Sequence, residues 1–255
     1  MRGRGRGARF RRGASILPSL FTVGNLFLGF WAVVKTLNGE LGEAAPLIGW
    51  AILLDMLDGR IARLTGTSSE FGGELDSLAD VVSFGVAPAL LAYSWGFADS
   101  IPRAGWLAAF LFVTCGALRL ARFNVQRHAV DGRYFVGLPI PAAAGQLAAL
   151  VHFLPAAIET RPLAVVVLAV TVTLAFLMVS TLRYRSFKSL DLRARRSYIN
   201  ILGIALLFLL IALHPEWVLL LAASLYSLSG PVAHAVTLLR RRPGPPPEVA
   251  AGTAH

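Results

Sequence analysis

Eight apolar stretches, each close to the thickness of a bilayer, divide this chain, and nothing else in it limits the fold so severely. A helix crossing the hydrocarbon layer needs about 20 mostly apolar residues. Runs bounded by charge, Gly or Pro occupy approximately 17–36, 44–64, 73–97, 105–123, 135–156, 162–182, 198–213 and 216–239. The seventh is short and the eighth contains Pro231, which makes them the weakest of the set. The expected fold is all-α, a polytopic membrane helix bundle of about eight transmembrane helices.

Lysine and arginine sort onto alternate loops. The N-terminal arm, the 2–3, 4–5 and 6–7 loops and the tail carry 21 of these residues, and the opposite set only Lys35, Arg103 and Arg161. Positive charge is retained in the cytoplasm. The expected location is therefore the cell membrane, multi-pass, with both termini cytoplasmic and an even number of spans. The chain has 24 Lys plus Arg against 14 Asp plus Glu, which in a soluble protein would suggest a nucleic-acid partner. Here the basic residues lie in short clusters between apolar runs, so they are read as orienting loops and no nucleic-acid partner is expected. Residues 1–14 are expected to form a basic cytoplasmic arm beside anionic lipid, in preference to a signal-peptide n-region or an RNA-binding segment. The Pro-rich tail, 241–255, is expected to be disordered. The single cysteine, Cys115, lies in an apolar run and reads as a small buried hydrophobe. The five histidines have no metal-binding spacing.

Aspartate placement carries the chemistry. Of seven aspartates, four are Asp55, Asp58, Asp76 and Asp80, all near the ends of apolar runs. Spacings of three and four put each pair on one face of its helix. The second and third helices share a short loop and should be antiparallel neighbours, so the pairs can converge. Each carboxylate in a low-dielectric layer costs about 2.5 kcal/mol or more at its centre. An oxygen-only set invites a hard divalent cation, and four carboxylates suffice for two ions. Any one aspartate could instead be a helix-end charge among headgroups or a partner of Arg60 or Arg63. Between the pairs, Gly59 permits close approach, Ala62 is small and Arg63 can meet phosphate oxygens bidentately.

The string Asp55-x-x-Asp58-Gly59-x-x-Ala62-Arg63, then eight residues, then Gly72-x-x-x-Asp76-x-x-x-Asp80 resembles the signature of the CDP-alcohol phosphotransferase family without a mismatch. The resemblance extends to the hydrophobic pattern of the first six helices. It implies a catalytic core over 15–190, and the last two apolar runs are expected to add two transmembrane helices over 191–240. It also implies a divalent cofactor, Mg²⁺ or Mn²⁺ and two ions, held by Asp55, Asp58, Asp76 and Asp80, with Asp80 also the catalytic general base. By the same resemblance Gly59, Ala62, Arg63, Asp58, Thr22 and Gly72 serve the nucleotide of a CDP-diacylglycerol donor seated in membrane lipid, and a homodimer is a family analogy. The active site would then face the cytoplasm.

Further segments are similar to the serine transferases of that family: LPSLFTVGNLFLG at 17–29, LRLARFN at 118–124, GLPIPAA at 137–143 and STLRYRSFKSL at 180–190. Ser19 departs from them, standing where the family usually has Asn after Pro. The resemblance implies L-serine as acceptor, with Arg119, Arg122, Lys188, Asn25 and Asn124 as its candidate contacts. Pro139 and Pro141 also read as helix-start residues, and the arginines as orienting charge. Two alternatives stay open: the same chemistry with glycerol 3-phosphate or an inositol species, and a transporter whose intramembrane aspartates bind a cation in transit. Against the transporter, all four aspartates lie toward one membrane face and no inverted repeat is evident.

Overall fold

The computed structural model describes residues 16–65, 70–126, 134–185 and 197–240. Among these residues eight helices follow in order: α1 (Ile16–Leu37), α2 (Leu41–Thr65), α3 (Glu70–Gly96), α4 (Pro102–Gln126), α5 (Ile140–Phe153), α6 (Arg161–Val179), α7 (Ser197–Leu213) and α8 (Pro215–Arg240). Five of them, α1, α3, α4, α6 and α8, hold stretches long and apolar enough to cross a membrane, and α5 is a shorter apolar helix. The chain is thus an all-α, multi-pass membrane protein. The basic arm, the tail and Lys188 lie outside the described residues.

Which residues are inside and which outside fits lipid as solvent. Phe27, Phe30, Trp31, Phe110, Val166 and Phe176 are open on helix surfaces, where water would penalise them and acyl chains do not. The centre is built largely from small residues, among them Ala32, Ala44, Ala51, Ala92, Ala144 and Ala148, with Cys115 buried beside them as expected. In a bilayer apolar bulk does not drive helices together, so small side chains that let backbones approach closely take on that role.

Two ends of the bundle can be distinguished by their connections. At one end Lys35 pairs with Glu40 and, at 2.7 Å, with Glu43, closing the α1–α2 turn around Gly39 at φ +78°. At that same end Trp95 Nε1 donates to Leu154 O at 2.8 Å and Ser100 Oγ to Glu159 O at 3.0 Å, joining the end of α3 to the α5–α6 connection.

The other end differs from the expected spans. Strands β1 (Tyr134–Val136) and β2 (Arg183–Arg185) pair antiparallel, with Phe135 opposite Tyr184. The fifth helix therefore begins at Ile140 instead of 135, and the sixth ends at Val179 instead of 182. Gly137 at φ +80° and Pro139 in extended geometry separate β1 from α5, and neither conformation continues a helix. Because the strands pair, the described parts of the α4–α5 and α6–α7 connections lie together at one end of the bundle, as alternate loops must.

Helix α3 is not uniform. Residues Val81–Val86 form a π-helical turn in which the Ala87 N–H reaches Val82 O. Pro88 follows at once. It has no N–H to offer Phe84 O, so the α-helical ladder is interrupted there and the wider turn absorbs the break. The last helix docks through aromatic contacts: Tyr184 Oη donates to Ser227 O at 3.1 Å, and the Phe153 and Trp217 rings meet edge-on at 4.5 Å.

Candidate active site

Three helices meet at the end marked by the β ribbon. Helix α2 brings Asp55 and Asp58 in its last turns, and α3 brings Asp76 and Asp80 just before the π turn. Carboxylate oxygens of Asp55, Asp76 and Asp80, one from each, lie within 4.8 Å of one another. Asp80 is buried and the other two are half-buried. The fourth aspartate, Asp58, is buried outside this tight group and accepts a hydrogen bond from Thr22 Oγ1 at 3.1 Å. The expected convergence of helices 2 and 3 is present, with three acids at its centre and one to the side.

Helix α1 closes the cluster from above. Thr22 and Asn25 are three apart and share its inner face. Asn25 is fully buried, its Nδ2 donates to Asp80 Oδ1 at 3.4 Å, and its backbone carbonyl accepts from Ser83 Oγ at 3.0 Å. Ser83 belongs to the π turn, so the break in α3 and the orientation of Asp80 are parts of one arrangement. Nothing in the sequence singles out Ser83. It is one hydroxyl in an apolar run, and its use depends on a helix nearly sixty residues away in the chain.

The donor set fits a divalent metal ion. It is made of hard anionic oxygens, it lies at the edge of a low-dielectric layer, and its members are close enough for one cation to bridge them. Without a cation, carboxylates this near one another repel. Gly59 and Gly72, both half-buried, flank the acids on their respective helices. Ala62 and Arg63 lie in the last turn of α2, where the backbone is described and their side chains are not.

The basic residues of α4 differ in their contacts. Arg119 is 7% exposed, and its charge lies within electrostatic reach of Asp80 and Asp55. Its guanidinium carbon is 6.0 Å from the centre of the Phe123 ring. Among the described residues its Nε has no hydrogen-bond partner. Arg122, one turn on, is committed elsewhere: Nη1 donates to Val179 O at 3.2 Å, and Nη2 to Val136 O at 3.0 Å and Ser180 O at 3.1 Å. It joins α4 to β1 and to the end of α6. Asn124 Nδ2 donates to Ser77 Oγ at 2.9 Å, and Ser77 Oγ in turn to Gly73 O at 3.0 Å, tying α4 to α3 beside Asp76. Of the five candidate acceptor contacts, Asn25 bonds an acid directly, Arg119 is within electrostatic reach of two, Arg122 and Asn124 make contacts between segments, and Lys188 is outside the described residues.

Comparison with known proteins agrees with this geometry. The model of the CDP-alcohol phosphatidyltransferase family matches residues 15–179. The chain is 40% identical over 200 residues to the CDP-diacylglycerol--serine O-phosphatidyltransferase of Helicobacter pylori (strain ATCC 700392 / 26695), covering 76% of this chain and 81% of that one. It is 36% identical over 173 residues to the Bacillus subtilis (strain 168) protein of the same name, covering 68% and 91%. Against that of Methanocaldococcus jannaschii the figures are 35% over 198 residues, covering 78% and 87%.

Proposed function

The chain belongs to the CDP-alcohol phosphatidyltransferase family, and within it we propose that this protein transfers a phosphatidyl group from CDP-diacylglycerol to L-serine, giving phosphatidylserine and CMP in phospholipid biosynthesis. The observation that carries this reading is the meeting of Asp55, Asp76 and Asp80 within 4.8 Å at one end of an apolar bundle. The relatives named above support serine as the acceptor. Glycerol 3-phosphate and inositol acceptors, and cation transport, have no such support.

The chemistry is a displacement at phosphorus. The serine hydroxyl oxygen bonds to the phosphorus that carries the diacylglycerol, the bond from that phosphorus to the CMP oxygen breaks, and the hydroxyl proton leaves as the new bond forms. Asp80 would receive that proton, and the hydrogen bond from Asn25 Nδ2 to one of its carboxylate oxygens supports that role. A base of ordinary strength contributes about 10²- to 10⁴-fold when it is positioned in this way. Asp55, Asp58, Asp76 and Asp80 would hold Mg²⁺ or Mn²⁺, two ions by family analogy, and the bound metal would neutralise pyrophosphate charge. Asp58 is held by Thr22. Gly59, Ala62, Arg63 and Gly72 would border the nucleotide, and Arg119 would meet the serine carboxylate.

The charge split among the loops supports an active site and termini on the cytoplasmic side. The test of the reaction is direct. Purified protein in lipid, given CDP-diacylglycerol and labelled serine, glycerol 3-phosphate or inositol in turn, should label lipid only with serine, as phosphatidylserine. Labelling with another alcohol in place of serine would overturn the acceptor, and no labelled lipid with any of them would overturn the reaction.

A further inference from the structure

Outside the region matched by the family model, α8 brings one aromatic residue toward Arg119. We infer that the Tyr226 hydroxyl and the Arg119 guanidinium together form the subsite for the acceptor's carboxylate, so that the last helix takes part in substrate selection. The inference rests on the proposed transfer to serine and extends it to a residue of α8.

The first support is the state of Arg119. A guanidinium that is 7% exposed with an unpartnered Nε among the described residues is costly unless something accepts its hydrogen bond. Arg122 shows how this fold satisfies an arginine that only holds segments together, through three backbone carbonyls. Arg119 has the opposite character, buried and charged with donor capacity to spare.

The second support is what sets the rotation of α8. Tyr184 is fully buried, its hydroxyl is tied to Ser227 O at 3.1 Å, and a β-carbon at Gly230 would collide with its ring. Burial beside Tyr226 pushes the Tyr184 phenol up to about 12, which keeps its hydroxyl a donor to Ser227 O at neutral pH. With α8 wedged there, the Tyr226 ring lies 5.8 Å from that of Tyr184 at 40°. Its phenol and the Arg119 guanidinium are then within electrostatic reach of each other. Next to it, Ser227 Oγ is another buried polar atom without a partner among the described residues.

The chemistry of the acceptor fits this pair. A carboxylate accepts several hydrogen bonds at once and is well matched by an arginine fork plus a hydroxyl donor. Serine's ammonium is then free to turn toward the acids, and its hydroxyl toward Asp80. Ethanolamine has the ammonium and the hydroxyl and lacks the group this pair would hold.

Tyr226→Phe is the variant to make, because it keeps the ring against Tyr184 and removes only the hydroxyl. A hydrogen bond to a charged group corresponds to about tenfold or more in binding. The apparent KM for serine should therefore rise at least about tenfold, while the KM for CDP-diacylglycerol, kcat and thermal stability stay within about twofold. Ethanolamine, which lacks the carboxylate, is expected to be a poor acceptor for the parent, and its rate should not change in the variant, so the preference for serine over ethanolamine narrows. A serine KM within twofold of the parent, or an equal rise for CDP-diacylglycerol or ethanolamine, would overturn the subsite. Failure of the parent protein to form phosphatidylserine at all would remove the proposed reaction and this subsite with it, a result distinct from a change confined to the variant.

Discussion

Gly29 of α1 and Ser83 of α3 pass so closely that a β-carbon on Gly29 would lie 2.5 Å from the Ser83 Cα. The contact is one turn from Asn25, whose carbonyl receives the Ser83 hydroxyl and whose amide reaches Asp80. A missing side chain on the first helix thus sets how near α1 stands to the π turn, and through Asn25 how the Asp80 carboxylate is aimed.

Gly29→Val should separate the two helices. Overpacking of a close contact costs about 1–3 kcal/mol, and the backbone of Ser83 has no flexible end that can swing away. Lower thermal stability in detergent and at least a tenfold loss of transfer activity are expected. Parent-like values for both would show that α1 can shift without disturbing Asp80.

Activity should depend on a divalent cation, because Asp55, Asp76 and Asp80 form an oxygen-only group that repels itself when empty. Excess chelator should abolish phosphatidylserine formation, and added Mg²⁺ or Mn²⁺ should restore it. Asp55→Asn and Asp76→Asn should each raise the metal concentration needed for half-maximal rate by about tenfold or more. Full activity in excess chelator would refute the metal reading.

Arg122 tests whether neighbouring arginines share a role. Lysine offers a compact point charge and cannot span three carbonyls as the guanidinium does. Arg122→Lys should therefore lower thermal stability and change the KM for serine and for CDP-diacylglycerol alike. Arg119→Lys should instead raise the KM for serine selectively. A selective serine defect in the Arg122 variant would show that it, too, serves the acceptor.

Much of this was legible in the sequence for a physical reason: lipid demands long apolar helices, and an intramembrane carboxylate is too costly to occur without a use. The span around Asp80 follows from those two facts, and the meeting of its helix with the one that carries Asp55 follows from the short loop that makes them antiparallel neighbours. Three-residue strands such as Tyr134–Val136 carry too little alternation to be read, and their pairing with Arg183–Arg185 depends on distant chain. The different surroundings of Arg119 and Arg122 were equally hidden. Both sit on one helix at a spacing that suggests a shared target, and only the neighbouring carbonyls of Val136, Val179 and Ser180 separate them.

Sidedness can be read with single cysteines. Cys115 is buried, so Cys115→Ala gives a background without thiols. Arg183→Cys, in β2, should resist impermeant thiol reagents in intact cells and react after lysis. Asp99→Cys, exposed between α3 and α4 at the opposite end, should react in intact cells. The reverse pattern would place the acid cluster outside.

Asp80→Asn separates a proton acceptor from a part that only holds the site together. The amide has the same shape, and its oxygen can still accept from Asn25 Nδ2 as the Asp80 carboxylate does at 3.4 Å, so the packing of α1 against the π turn should survive. What is lost is the basicity that the proposed proton transfer requires of Asp80. Base removal acts on the transition state and leaves the ground state bound, so turnover should fall at least about a hundredfold while CDP-diacylglycerol still binds. Thermal stability should stay near that of the parent, since neither hydrogen bond nor volume changes. If donor binding falls in step with turnover, Asp80 acts mainly by holding the donor's charged head with Asp55 and Asp76, and the proton must leave by another route.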